Sequence, residues 1–105
     1  MNNEIEILEG IKKIIMDKEP NAKIYLYGSR ARGTAKPDSD WDILILLNRD
    51  KITDEIDKDI SYSLYDLELE KDEIISPIIY TLNEWQTKYW VTPFYHNVMK
   101  EGKLL

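Results

Sequence analysis

The segment Trp41-Asp42-Ile43-Leu44-Ile45-Leu46-Leu47 constrains this chain more than any other. A dense apolar run of strand-forming residues reads as a central strand covered on both faces. It is nevertheless entered through Asp40 and Asp42. Two carboxylates at the mouth of an apolar strand are unfavourable there unless something compensates their charge, and a metal ion is one such partner. Side chains two residues apart on a strand share a face, about 6.6 Å apart along the backbone. Asp40 and Asp42 can therefore converge on one site.

What flanks this strand follows from periodicity. Asn3 and Glu6 form a capping-box pattern, and Ile5, Leu8, Ile11, Ile14 and Ile15 recur at helical spacing, which predicts a helix over 4–18 that ends before Pro20. Lys23 to Tyr27 alternates as a strand and Gly28 ends it. Residues 29–35 predict a short helix, and Pro37-Asp38-Ser39 a turn. Thr53 caps a second amphipathic helix over 54–69, with Ile56, Ile60, Leu64 and Leu67 on its face. The mixed charges of Glu68 to Glu73 read as a solvated helix end. Ile74 to Tyr80 predicts a third strand, and Pro77 within it requires an edge position or a bulge. Thr81 with Glu84 opens a short helix through Trp90, and Thr92-Pro93 opens a last one ended by Gly102. Lys103 to Leu105 is either a final short strand or simply the end of the chain. The expected class is α/β (α+β), a small sheet covered by helices in one domain over residues 1–105.

Composition narrows the function. A net charge of −6 argues against general nucleic-acid binding. With no cysteine there are no disulfides or thiolate metal sites. No apolar run reaches membrane-spanning length and no signal peptide is visible, which fits a cytoplasmic protein. Arg30, Arg32 and Lys36 form a basic island with no acid among residues 28–37. Such an island either takes a small anionic ligand or is a solvated loop. His96 reads as a surface or packing residue rather than a catalyst, and Trp85, Tyr89, Trp90, Phe94 and Tyr95 read first as packing residues, with an exposed partner-docking patch as the alternative for the aromatics.

Gly28-Ser29 supplies what the aspartates lack. Glycine lets backbone approach a phosphate closely, and a helix opening just after it aims free N–H groups at an anion. Arg30 or Arg32 can neutralise part of a triphosphate. Two carboxylates with phosphate oxygens suit Mg²⁺.

The pattern of Gly28-Ser29, ten intervening residues and Asp40-x-Asp42 resembles the signature of the polymerase-β-like nucleotidyltransferases. Gly-Ser-Arg-Ala-Arg-Gly with Ser-Asp-x-Asp is particularly similar to the minimal nucleotidyltransferase group. The resemblance implies a mixed sheet in the nucleotidyltransferase fold, Mg²⁺, and transfer of a nucleoside monophosphate, usually AMP from ATP, to a hydroxyl. It implies triphosphate binding at Gly28 and Ser29 and catalytic metal binding at Asp40 and Asp42. It also implies a helical HEPN-like partner, the small protein acting as antitoxin to its toxin.

The superfamily places a third carboxylate on a later strand, and here that position falls near Ser76. Asp72 and Glu73, just before the strand, are the acids that could replace it if the strand is shifted. Without a base the chain reads as a slow enzyme, an enzyme completed by its partner, or a nucleotide-binding module that neutralises a HEPN-like partner by contact. An aminoglycoside-type adenylyltransferase is the weaker third reading, since those carry an added helical domain.

Overall fold

The computed structural model describes residues 3–105. Its elements are α1 (Asn3–Lys18), β1 (Lys23–Tyr27), α2 (Ser29–Arg32), β2 (Trp41–Leu47), α3 (Asp54–Lys71), β3 (Ile75–Thr81), α4 (Leu82–Thr87), α5 (Pro93–Glu101) and β4 (Lys103–Leu104). The four strands form one sheet in the order β3-β2-β1-β4. β1 runs antiparallel to both β2 and β4, whereas β2 and β3 are parallel. The sheet is thus mixed, with β2 inside it. No helix among the described residues is long and apolar enough to cross a membrane.

The apolar run of β2 is buried on both sides because alternate residues serve different layers. Trp41, Ile43, Ile45 and Leu47 pack with Ile7, Ile11 and Ile15 of α1 and with Ile60, Leu64 and Leu67 of α3. Leu44 and Leu46 face the other way, onto Trp85 of α4 and Val98 of α5. Tyr25, Tyr27, Tyr80, Tyr89, Phe94 and Tyr95 complete that second layer. The C-terminal aromatics are therefore mostly core, with Trp90 the exposed exception at 53%.

Local chemistry sets most boundaries. The Thr53, Thr81 and Thr92 hydroxyls each accept an N–H of the first helical turn, and Thr81 and Glu84 complete a capping box. Asn3 departs from expectation. It lies inside α1 and donates from Nδ2 to Glu73 Oε1 at 3.2 Å, while Glu6 pairs with Lys71 at 3.4 Å. The capping position before Asn3 is outside the described residues. α2 stops at Arg32 because Gly33 adopts a left-handed φ of 78° and the chain folds back, Thr34 N–H donating to the Ser29 carbonyl at 3.1 Å. α4 ends at Thr87, short of Trp90.

The acidic end of α3 is not merely solvated. Asp72 caps the helix with φ 54°, a conformation that aspartate tolerates better than most residues. Glu68 accepts the Ile75 N–H at 2.6 Å, tying the helix end to β3. Pro77 sits on β3 at the sheet edge, where a missing N–H is tolerated. The C-terminal alternative resolves as strand: Tyr25 pairs with Leu104 and Leu26 with Lys103.

Candidate active site

The site forms where β1, β2 and β3 meet the turn after β1. Tyr27 and Asp42 are register partners across the antiparallel pair, and Asp42 and Ser76 across the parallel pair. Partners directly opposite in a ladder share a face. Tyr27, Asp42 and Ser76 therefore form a row on the side that carries α4 and α5. Asp40, two residues before Asp42, joins that row, and its Oδ2 accepts the Ser76 hydroxyl at 3.1 Å.

Gly28 brings the turn onto this row. Its φ of 73° and ψ of −157° lie in a region essentially reserved for glycine. A Cβ there would overlap Asp42 Oδ2. Backbone approach to the carboxylate and the unusual dihedral thus both require this residue. The Gly28 carbonyl accepts the Ala31 and Arg32 N–H groups at 3.1 and 3.0 Å, which opens α2. The first N–H groups of any helix have no intrahelical acceptor, so Ser29 starts a turn able to donate to an anion.

The surroundings of Asp42 disfavour its ionised form. Partial burial pushes its pKa up, the neighbouring Asp40 adds to this, and Arg32 opposes it. Tyr27 responds to the same charge: burial first, then Asp42 and then Tyr80 raise its phenol to about 12. Arg32 is the basic residue on the aspartate side. Its Nη1 lies 3.5 Å from Glu101 at the end of α5.

Arg30 does not join them. The sequence offers Arg30 or Arg32 as a phosphate contact, but the Arg30 side chain is only 7% exposed and turns to the opposite side of the sheet. Its guanidinium lies 4.3 Å over the Trp41 ring. Nη2 donates to the Ser39 and Pro37 carbonyls at 2.9 and 3.3 Å, and Nη1 reaches Glu4 at 3.4 Å. Arg30 instead fastens the loop that delivers Asp40 to the strand.

Asp72 and Glu73 do not supply the third carboxylate. Glu73 accepts from Trp41 Nε1 at 3.4 Å and lies 3.7 Å from Arg30, on the face Trp41 occupies and away from Asp42. Asp72 is held at the helix cap. Ser76 takes the register position opposite Asp42, so no strand shift carries an acid there. Among the described residues, no cluster of three or more His, Cys, Asp and Glu side chains is arranged to hold a metal. Asp40 and Asp42 still fit a hard cation shared with phosphate oxygens: they are paired oxygen donors beside a glycine cradle, and a cation would relieve their repulsion.

Residues 8–103 match the nucleotidyltransferase domain family. The chain belongs to this family. Solved structures share the nucleotidyltransferase fold across essentially the whole chain. A toxin–antitoxin complex with AMP-PNP aligns at 23% identity with a TM-score of 0.65, covering 99% of this chain and 72% of that one. A toxin–antitoxin MntA–HpeT complex with a tyrosine-to-alanine substitution aligns at 24% identity and a TM-score of 0.62, covering 100% and 72%. Another MntA–HpeT complex, with two aspartates two positions apart changed to glutamate, aligns at 19% and 0.62, covering 99% and 71%. A search among curated proteins finds no match.

Two functional candidates were not evident from sequence. Tyr27 enters through register with Asp42, and α5 enters through Glu101 and the cavity it shares with Gly28 and Arg32. Thr92-Pro93 and Gly102 mark α5 in the sequence, but no local signal sets it beside the turn after β1.

Proposed function

We propose that this nucleotidyltransferase uses Mg²⁺ and ATP to transfer AMP to a hydroxyl of a partner protein, in the manner of an antitoxin acting on a HEPN-like helical toxin. The observation that carries the reading is the Gly28 backbone set against Asp42, with Asp40 on the same face. Asp40 and Asp42 are the metal-holding residues. Bound Mg²⁺ would neutralise phosphate charge and polarise the phosphorus centre. Gly28 and Ser29 bind the triphosphate through backbone N–H groups, and Arg32 neutralises part of its charge. Ser76 orients Asp40 through its hydroxyl. Use of ATP fits a cytoplasmic setting. The toxin–antitoxin neighbours support a protein acceptor.

Ser76 favours a second reading. A general base contributes about 10²–10⁴-fold, and serine in that place leaves the acceptor proton without a carboxylate from this chain. The protein would then neutralise its partner by binding and retain nucleotide without rapid transfer. Incubation with α-labelled ATP, Mg²⁺ and the protein encoded beside it separates the two. Label on that protein, absent with Asp42→Asn, is the expected result. A stable complex that transfers no label with any divalent metal would replace the first reading by the second.

A further inference from the structure

A cavity of about 480 Å³ opens between the C-terminal end of α3 and the loop that delivers Asp40. Leu69 and Ile74 line it, and these large apolar side chains are 66% and 56% exposed. Pro37 closes the loop side. Asp38, Glu68, Asp72 and Glu73 stand round the apolar groups, and among the described residues that line the cavity none is basic. We propose that this groove docks the acceptor protein, taking a basic helical segment with one apolar side chain seated on Leu69 and Ile74. The inference rests on the protein-acceptor reading above and adds the surface and the chemistry by which that acceptor is held.

Charge complementarity selects the occupant. Glu68 is engaged by the Ile75 N–H, and Glu73 by Trp41 Nε1 and Arg30. Asp38 and Asp72 are exposed, and among the described residues neither forms an ion pair. An apolar patch with such a rim attracts lysine or arginine side chains flanking an apolar one and repels an acidic segment. The net charge of −6 likewise disfavours a second copy of this chain as occupant.

The form of the segment follows from the edge of β3. Trp41 N–H donates to the Ile74 carbonyl at 2.8 Å. By the alternation of a parallel ladder, Ser76, Ile78 and Tyr80 then turn their backbone groups to β2, while Ile75, Pro77, Ile79 and Thr81 turn theirs outward. Ile75 N–H donates to Glu68 at 2.6 Å and Thr81 N–H to Glu84 at 3.1 Å. Pro77 has no N–H to give. Among these outward positions only Ile79 keeps a donor for a new strand, and strand addition needs a row of them. The acceptor segment therefore docks through side chains, as a helix does when it lays apolar anchors and flanking charges into a groove.

The groove is well placed for delivery. Asp38 precedes Asp40 by two residues and Ile74 precedes Ser76 by two, and two residues span at most about 7 Å. A segment held there stands at the end of β2 and β3 that carries the aspartates, and its hydroxyl approaches them round the open β3 edge.

The test measures binding of the protein encoded beside this chain by calorimetry, and labelled transfer to it, for wild type, Leu69→Lys, Leu69→Glu and Asp38→Lys. Both positions are exposed and hold no catalytic group, and thermal melts check folding. Leu69→Lys should weaken partner affinity by about 100-fold and Asp38→Lys by about tenfold. Leu69→Glu should weaken it at least tenfold less than Leu69→Lys, because it loses the anchor but adds a carboxylate. Mg²⁺–tripolyphosphate affinity should stay at the wild-type value in all three. Wild-type partner affinity in Leu69→Lys overturns the proposal and leaves the proposed function standing. Equal losses in Leu69→Lys and Leu69→Glu overturn it too, since the groove then reads no basic charge. A matching loss of tripolyphosphate affinity marks a structural defect and likewise overturns it. Wild type that binds tripolyphosphate but neither binds nor labels the neighbouring protein removes the protein-acceptor reading itself, together with this one.

Discussion

Ser76→Asp restores a carboxylate where β3 meets Asp42, and its consequences can be worked through. The side chain at position 76 is opposite Asp42 and already within 3.1 Å of Asp40 through its hydroxyl. At about 4 Å, two like charges repel by about 1 kcal/mol in water and about 4 kcal/mol at an effective dielectric of 20. Asp40 is exposed and Asp42 only half-buried, which places the cost towards the lower figure, about 1–2 kcal/mol in all. For a domain near this size each kcal/mol moves Tm by about 4–8 °C, so metal-free Ser76→Asp melts roughly 5–15 °C below wild type. Mg²⁺ recovers most of that loss, because a cation that binds only the folded state stabilises it. If deprotonation limits transfer, the rate rises by about 10²-fold or more. Thermal melts with and without Mg²⁺, and labelled-ATP transfer at saturating metal, measure both. A variant as stable as wild type without metal would show that position 76 does not face the aspartates. Metal-dependent stabilisation with an unchanged rate would show that a base is not what the site lacks.

Gly28→Ala places a Cβ on Asp42 Oδ2 and a side chain at φ 73°; denaturant titration should show a loss of about 1–3 kcal/mol, and calorimetry a larger proportional loss of Mg²⁺–tripolyphosphate binding. Arg30→Leu should lower stability by about 1–3 kcal/mol, through lost hydrogen bonds to Ser39 and Pro37 and lost stacking on Trp41. After correction for folded fraction, its tripolyphosphate affinity should match wild type, whereas Arg32→Leu should weaken it. Asp42 has a folded pKa above its ordinary value, so the folded state favours its protonated form: stability from this group is present below the unfolded pKa and is lost as pH rises through the folded one. Metal-free Asp42→Asn should therefore be more stable than wild type at pH 7, with the difference shrinking as pH falls through the carboxylate range in urea titrations.

Much of the fold was legible because its signals are local. Period-two alternation placed β1, the unbroken apolar run made β2 central, and threonine caps marked α3, α4 and α5. Asp40 and Asp42 on one face follow from the pleat alone. The misplaced features depend on distant contacts. Glu68 and Glu73 looked solvated because Ile75 N–H and Trp41 Nε1 are remote in sequence or belong to another strand. Asn3 has the sequence context of a cap, but its amide donates to Glu73, 70 residues away in the chain.

The chemistry of the turn and strand, Gly28-Ser29 with Asp40-x-Asp42, was determined by the sequence itself, since spacing along a strand and the dihedral freedom of glycine need no partner. The division between Arg30 and Arg32 was decided only by tertiary structure. On a helix, residues two apart point about 200° from each other, so one of the pair must turn away from the site. Which one depends on how α2 docks on the sheet, and that docking sets Arg30 on Trp41 and leaves Arg32 near Asp42. The cavity of Tyr27, Phe94, Asn97 and Glu101 has the same origin: α5 reaches the turn after β1 only when both pack on the second face of the sheet.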